Sequence, residues 1–87
     1  MTYYVYLIGT YNKLKLTTYV GYTNDLNKRL ILHNKGKGAK FTRGRKWKII
    51  YSEKFKKKNE AISREYYIKK NRKLRNFLKK KFNKIKS

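Results

Sequence analysis

Residues 3–9 read Tyr-Tyr-Val-Tyr-Leu-Ile-Gly, a β-branched and aromatic run ending at a glycine, and predict a buried strand. Residues 10–16 form a polar loop around Tyr11-Asn12-Lys13. Residues 17–21, Thr-Thr-Tyr-Val-Gly, predict a second strand, antiparallel to the first. Thr23-Asn24-Asp25 then offers a helix N-cap with an acid in the first turn. That helix runs to about His33, and Asn34-Lys35-Gly36 stops it. Residues 36–46 are glycine-rich and basic, hence a loop, and residues 47–52 predict a third strand. From Lys57 or Asn59 to Lys70, Ala61, Ile62, Glu65, Tyr66 and Ile68 recur at helical spacing, and Asn71 breaks the run. Leu74, Phe77, Leu78, Phe82 and Ile85 then form one apolar stripe opposite a lysine face. The expected architecture is α+β: a three-stranded antiparallel sheet flanked by helices in the order ββαβαα.

At 87 residues the chain holds one small domain, expected over 1–87, with a modest core. With no cysteine and a single histidine, a disulfide framework, a Cys-type zinc site and a His-rich site are all excluded. The core is expected to draw on the fourteen aromatics together with Leu, Ile and Val. Lys and Arg number 26 against 4 acids, a formal charge of +22, which points to a polyanionic partner. The charge is uneven. Residues 1–34 contain Lys13, Lys15, Lys28 and Arg29, and the other 22 basic residues lie beyond them. No apolar run reaches the roughly 20 residues of a membrane span, and the N-terminus lacks a basic leader, so a cytoplasmic protein is expected.

The scarcity of acids constrains any chemistry. Asp25, Glu53, Glu60 and Glu65 are the only carboxylates. A two-metal site clusters several carboxylates, whereas one Mg²⁺ can be held by a single carboxylate plus substrate phosphate. Asp25 has a capping role, and Glu53 and Glu60 sit at element ends with structural roles to hand. Glu65 shares its helix face with apolar residues, which leaves it either a metal ligand or an i,i+4 partner of Lys69. Arg29 and His33 lie four apart on one face of the first helix. An arginine there can grip a phosphate oxygen, and His33 can orient a group, contact phosphate or bond a loop. Tyr4 and Tyr6 face one side of the sheet, Val5 the other. A nearby arginine, a metal and the positive field would all favour a Tyr6 phenolate. Lys37, Lys40, Arg43, Arg45 and Lys69 are candidate nucleic-acid contacts, the loop residues among them forming a flexible basic clamp.

Five ordered strings resemble the GIY-YIG nuclease family, and most closely its short single-domain bacterial YhbQ-like type. They are Tyr3-Tyr4-Val5-Tyr6-Leu7; Tyr19-Val20-Gly21-Tyr22-Thr23; Asp25-Leu26 with Lys28-Arg29-Leu30 and His33-Asn34; residues 36–44; and Glu60-Ala61 with Arg64-Glu65 and Ile68-Lys69. The motif core spans about 3–78, followed by a basic C-terminal helix. Tyr4, Val5 and Val20 depart mildly from the family's namesake residues, and the loop over residues 9–18 is longer than usual. The resemblance implies a site on one sheet face. Tyr6 is implied as general base or its hydrogen-bond partner, with Tyr19 orienting water. Arg29 would stabilise the pentavalent phosphate, His33 assist, and Glu65 ligate Mg²⁺, with Mn²⁺ able to substitute. The implied activity is Mg²⁺-dependent hydrolysis of DNA in repair or recombination, with RNA not excluded and a protein partner supplying specificity. The alternatives are a non-catalytic DNA- or RNA-binding module with the same fold and a ribosome-associated basic protein.

Overall fold

A computed structural model describes residues 1–86; Ser87 and the side chains of Ile85 and Lys86 lie outside the described residues. Three strands, β1 (Tyr3–Asn12), β2 (Lys15–Thr23) and β3 (Lys48–Phe55), form an antiparallel sheet in the order β2-β1-β3. Helix α1 (Leu26–Asn34) follows β2, and α2 (Lys58–Lys70) and α3 (Arg72–Lys86) follow β3. The ββαβαα order and the three-stranded antiparallel sheet are those expected from the sequence.

Period-2 alternation on the central strand divides the core between two faces. Val5 and Leu7 join Val20, Ala61, Ile68 and Leu78 under α2 and α3, while Tyr6 and Ile8 join Trp47 under α1, against Leu26, Leu30 and Ile49. A bulge adjusts β3 to this division: Tyr51 pairs with Leu7 and Ile49 with Ile8, leaving Ile50 as the extra residue. Ile50 and Tyr51 therefore pack on the α2–α3 side and Ile49 on the α1 side. Of the fourteen aromatics Tyr6 and Trp47 are buried, and Tyr3, Tyr19, Tyr22, Tyr51 and Phe55 are partly buried against a mostly aliphatic centre. Phe77 of the predicted stripe stays exposed, whereas Leu78 is buried and Leu74 packs on the core.

The predicted polar loop between the first two strands is absent. Its residues extend both strands into a long hairpin whose register runs to Asn12↔Lys15. β3 pairing ends at Gly9↔Lys48, so the outer part of the hairpin is a two-stranded ribbon. The turn holds Lys13 at φ 60, a conformation that usually calls for Gly, Asn or Asp, and the sequence lacks that signal. The third strand likewise extends beyond the predicted 47–52, with Trp47 just before it.

Asp25 caps α1, its carboxylate accepting from the Lys28 N–H at 3.1 Å. Asn71 ends α2 and starts α3: its N–H donates to the Ile68 carbonyl, and its Oδ1 accepts from Leu74 N–H at 3.0 Å. Glu53 ties β3 to α2 through two bonds from Arg64, at 2.8 and 2.9 Å, and accepts a third from the Tyr51 hydroxyl.

The Arg64 hydrogen bonds hold the Glu53 carboxyl below its ordinary value of 4.5 despite its partial burial. A depressed carboxyl stabilises the fold above its unfolded pKa and loses that contribution as pH falls through the folded value. Urea unfolding between pH 6 and 3 is therefore expected to show a fall in stability. Glu53→Gln should be less stable than the parent at pH 6 and show a shallower fall. An unchanged slope in the variant would contradict the assignment.

Candidate active site

Tyr6 stands on the central strand facing α1, and its register partner on β2 is Gly21. A methyl group on Gly21 would overlap the Tyr6 hydroxyl, so the phenol occupies space that glycine leaves open. His33, in the last turn of α1, is 1% exposed, and a methyl on Gly38 would overlap its ring. Two glycines thus leave room for the tyrosine and the histidine.

The hydrogen bonds around His33 fix its tautomer. Thr42 donates its hydroxyl to the Ala39 carbonyl at 3.0 Å, so its oxygen must accept from His33 Nδ1–H at 2.9 Å. His33 Nε2 is then the acceptor for the Tyr6 hydroxyl at 2.8 Å. The chain runs Tyr6 O–H to His33 to Thr42 to a backbone carbonyl, and every donor points away from the cleft. Burial raises the Tyr6 phenol, an effect that Arg29 only partly offsets. Burial and then Arg29 push the His33 imidazolium down from 6.5. Both groups are neutral near pH 7, which corrects the expectation of a Tyr6 phenolate: desolvation outweighs the positive field.

The loop that carries Thr42 is held in place. Lys40–Thr42 makes a 3-10 turn, Trp47 Nε1–H donates to the Thr42 carbonyl at 2.8 Å, and Asn34 and Trp47 exchange two bonds at 2.6 and 3.3 Å. The expected flexible clamp is therefore a loop bonded down around His33. Lys37, Lys40, Arg43 and Arg45 project from it, exposed and outside the cleft lining.

Tyr6, Tyr19, Arg29 and Glu65 all line one cleft of about 440 Å³. His33 does not line it but lies behind Tyr6. The cleft draws on both sides of the edge strand β2, since Tyr22 packs with the α2–α3 layer and Tyr19 with the α1 layer. This differs from the expected site on one sheet face: Glu65 comes from α2, on the opposite layer to Tyr6. Its side chain is 18% exposed, and Lys69 Nζ lies 3.7 Å from Oε2. Lys69 also stands over the Tyr19 ring, 6.0 Å from its centroid. Of the two roles left open for Glu65 by the sequence, the ion pair with Lys69 is the one seen, and the carboxylate also stands in the cleft lining. Glu65 is the sole carboxylate in the lining, and among the described residues no three His, Cys, Asp or Glu side chains gather into a cluster.

Lys58, Tyr22 and Asn24 also line the cleft and were not anticipated. Lys58 is seven residues before Glu65 on the same helix face, but it is hidden in a lysine run. Thr42 and Gly38 carried no chemical signal of their own. Gly21 stands in the second motif string, but its place opposite Tyr6 comes from the strand register.

A family model described as the GIY-YIG catalytic domain matches residues 2–84. A UPF0213 protein of Clostridium perfringens is 52% identical over 68 residues, covering 77% of this chain and 70% of the relative. The UPF0213 protein YazA of Bacillus subtilis is 55% identical over 53 residues, covering 60% of this chain and 54% of its own length. The alignment with that second relative thus spans about half its length. The solution NMR structure of a UPF0213 protein from Bacillus halodurans superposes with a TM-score of 0.53 at 36% identity, over 90% of this chain and 82% of that one.

Nitrogen-detected NMR of the imidazole should show His33 as the Nδ1–H tautomer at pH 7, titrating below 6.5. Because its neutral form is favoured by folding, His33 contributes stability above 6.5 that is lost as pH falls through the lower folded value. Gly38→Ala should displace the ring and abolish this signature. An Nε2–H tautomer in the parent protein would reverse the direction of the hydrogen-bond chain.

Proposed function

Because this chain belongs to the GIY-YIG family, we propose that it is a Mg²⁺-dependent endonuclease that hydrolyses DNA phosphodiester bonds, residues 1–87 acting as one nuclease domain. The observation that carries the reading is convergence: Tyr6, Tyr19, Arg29 and Glu65, from four elements, line the same cleft. The formal charge of +22 supplies attraction to a polyanion.

The donor set fits one hard divalent ion. Glu65 places a single carboxylate at the wall of a cleft lined mainly by phenols, polar side chains and cations, and one carboxylate is what a water-retaining ion such as Mg²⁺ would need from the protein. Glu65 would hold the ion, with Mn²⁺ able to replace Mg²⁺. When bound, the ion supplies Lewis-acid stabilisation of the charge that develops on the phosphate.

Tyr6 and His33 act on the attacking water together. A free phenolate is scarce: with an unperturbed pKa near 10, fewer than about one phenol in a thousand is ionised at pH 7, and burial lowers that further. The neutral pair is fully populated. Tyr6 oxygen accepts a proton from water while its own proton passes along the 2.8 Å bond to His33 Nε2. The water oxygen bonds to phosphorus as the bond to the leaving ester oxygen breaks, and that oxygen takes a proton from solvent. Thr42 fixes the ring so that Nε2 remains the acceptor. Tyr19 orients the water, and Arg29 donates to nonbridging phosphate oxygens as negative charge grows there. Lys37, Lys40, Arg43, Arg45 and Lys69 contact the backbone of the bound nucleic acid.

With supercoiled, single-stranded, flap and junction DNA in Mg²⁺ or Mn²⁺, the protein should cut at least one substrate. Arg29→Ala should slow cutting by about 10²–10³-fold with binding retained. Glu65→Ala should abolish it, also with binding retained. A protein that binds every topology and cuts none would leave only the reading as a binding module.

A further inference from the structure

Tyr19 belongs to two hollows. One is the cleft, and the other is a shallower recess of about 380 Å³ lined by Thr18, Tyr19, Val20, Phe41, Lys69 and Arg75. Phe41 rises from the bonded-down loop with half its surface in water. Its ring stacks on Tyr19 with centroids 6.0 Å apart and planes at 21°, and leans on buried Trp47 at 6.2 Å and 45°. Arg45 Cζ lies 5.2 Å from the Phe41 centroid, adding a planar cation of the kind that stacks on bases. At the rim, Lys69 stands over Tyr19, and Arg75 is anchored by donating to the Ile68 and Lys69 carbonyls.

These features fit one kind of occupant. Tyr19 stacks on the half-exposed Phe41 ring, and the exposed Arg45 guanidinium lies over it. A base that exchanges with Arg45 gains a π-face, and two cations beside it offer charge to a phosphate. A nucleobase with its backbone matches both. A base inside a duplex keeps both faces against its neighbours and cannot present one to the protein, whereas an unpaired base can. Tyr19, shared by the hollows, places this base directly beside the reacting cleft.

We propose that the recess binds an unpaired base adjoining the phosphate to be cut, stacked against Phe41, so that the preferred substrate is single-stranded or locally unpaired nucleic acid. The nuclease reading is needed only to say which phosphate reacts. Phe41 is then a specificity-determining residue, Lys69 and Arg75 hold the flanking phosphate, and Arg45 closes over the stack.

The test is binding without divalent metal, by fluorescence anisotropy at fixed salt. A labelled oligothymidylate is compared with a blunt hairpin duplex carrying the same number of phosphates. The parent protein should prefer the single strand. Phe41→Ala should weaken that binding about 5- to 150-fold, the range expected for one lost base stack, and leave duplex binding unchanged. Phe41→Tyr should retain the preference. Phe41→Leu keeps apolar bulk on Tyr19 and Trp47 without a ring, so it separates stacking from loop stability; it should behave like the alanine variant. Equal binding of the two oligonucleotides by the parent would overturn the proposal, as would equal loss of both in the Phe41 variants. Since no cutting is needed, a protein that never cleaves yet shows this preference refutes the nuclease reading alone. One that cuts intact duplex with Phe41→Ala unaffected refutes this inference alone.

Discussion

Tyr6 carries a hydroxyl into the space between a sheet and a helix, where leaving it without a partner would cost about 1–3 kcal/mol. His33 Nε2 accepts from it, Thr42 fixes the histidine from the other side, and the Ala39 carbonyl ends the chain. Among the described residues no buried side-chain nitrogen or oxygen lacks a partner. That requirement settles much of the local architecture. Gly21 and Gly38 leave room for the two rings, and Trp47 and Asn34 hold the loop that carries Thr42. The same bonds aim the phenol proton inward, leaving the oxygen available at the cleft wall. In the proposed function, the bond that satisfies this buried polar group is also the one that readies the Tyr6 oxygen for water.

The four acids are spent differently. Asp25 caps α1, Glu60 sits in the first turn of α2, and Glu53 is held by Arg64. Glu65 alone reaches the cleft. In a chain of formal charge +22, a carboxylate is surrounded by competing cations, and its nearest is Lys69 at 3.7 Å. Such a long, partly exposed i,i+4 pair contributes little, about 0.3–0.5 kcal/mol, so the divalent ion of the proposed function would have a weak competitor to displace. The ion pair leaves Glu65 placed and exchangeable.

What the sequence disclosed follows from how local each feature is. Strands at Tyr3 and Thr17, the Asp25 cap and the break at Asn71 rest on neighbouring residues, and their periodicity was readable. The antiparallel pairing was readable but the full length of the hairpin was not, because its turn puts Lys13 at φ 60 where a glycine or asparagine would have announced it. Tyr6, Tyr19, Arg29 and Glu65 were identifiable as candidates from ordered motifs. The role of Thr42 depends on a bond between residues nine apart, which no pattern in the loop encodes. The Tyr6 ionisation was misjudged for a related reason: charge is visible in a sequence, but burial is not, and burial dominates that group. The aromatics were expected to share the core with aliphatic residues, but four of them, Tyr3, Tyr6, Tyr19 and Tyr22, line the cleft from β1 and β2, and Tyr66, Tyr67 and Phe77 are exposed on helices.

The cleft exists only when both layers are docked on the sheet. Tyr6 and Arg29 come from the α1 side, and Glu65 comes from α2 on the other, meeting across the exposed edge of β2. α2 is held by Ala61 and Ile68 in the core and by the Arg64–Glu53 pair to β3, at the opposite edge of the sheet. An edge strand normally invites pairing with another chain. Here its flank is a concave, polar surface that mixes phenols with cations. The residues that would react thus line one cleft while being supported from opposite layers of the sheet. Loosening either layer would separate the carboxylate from the phenol while leaving most of the sheet intact.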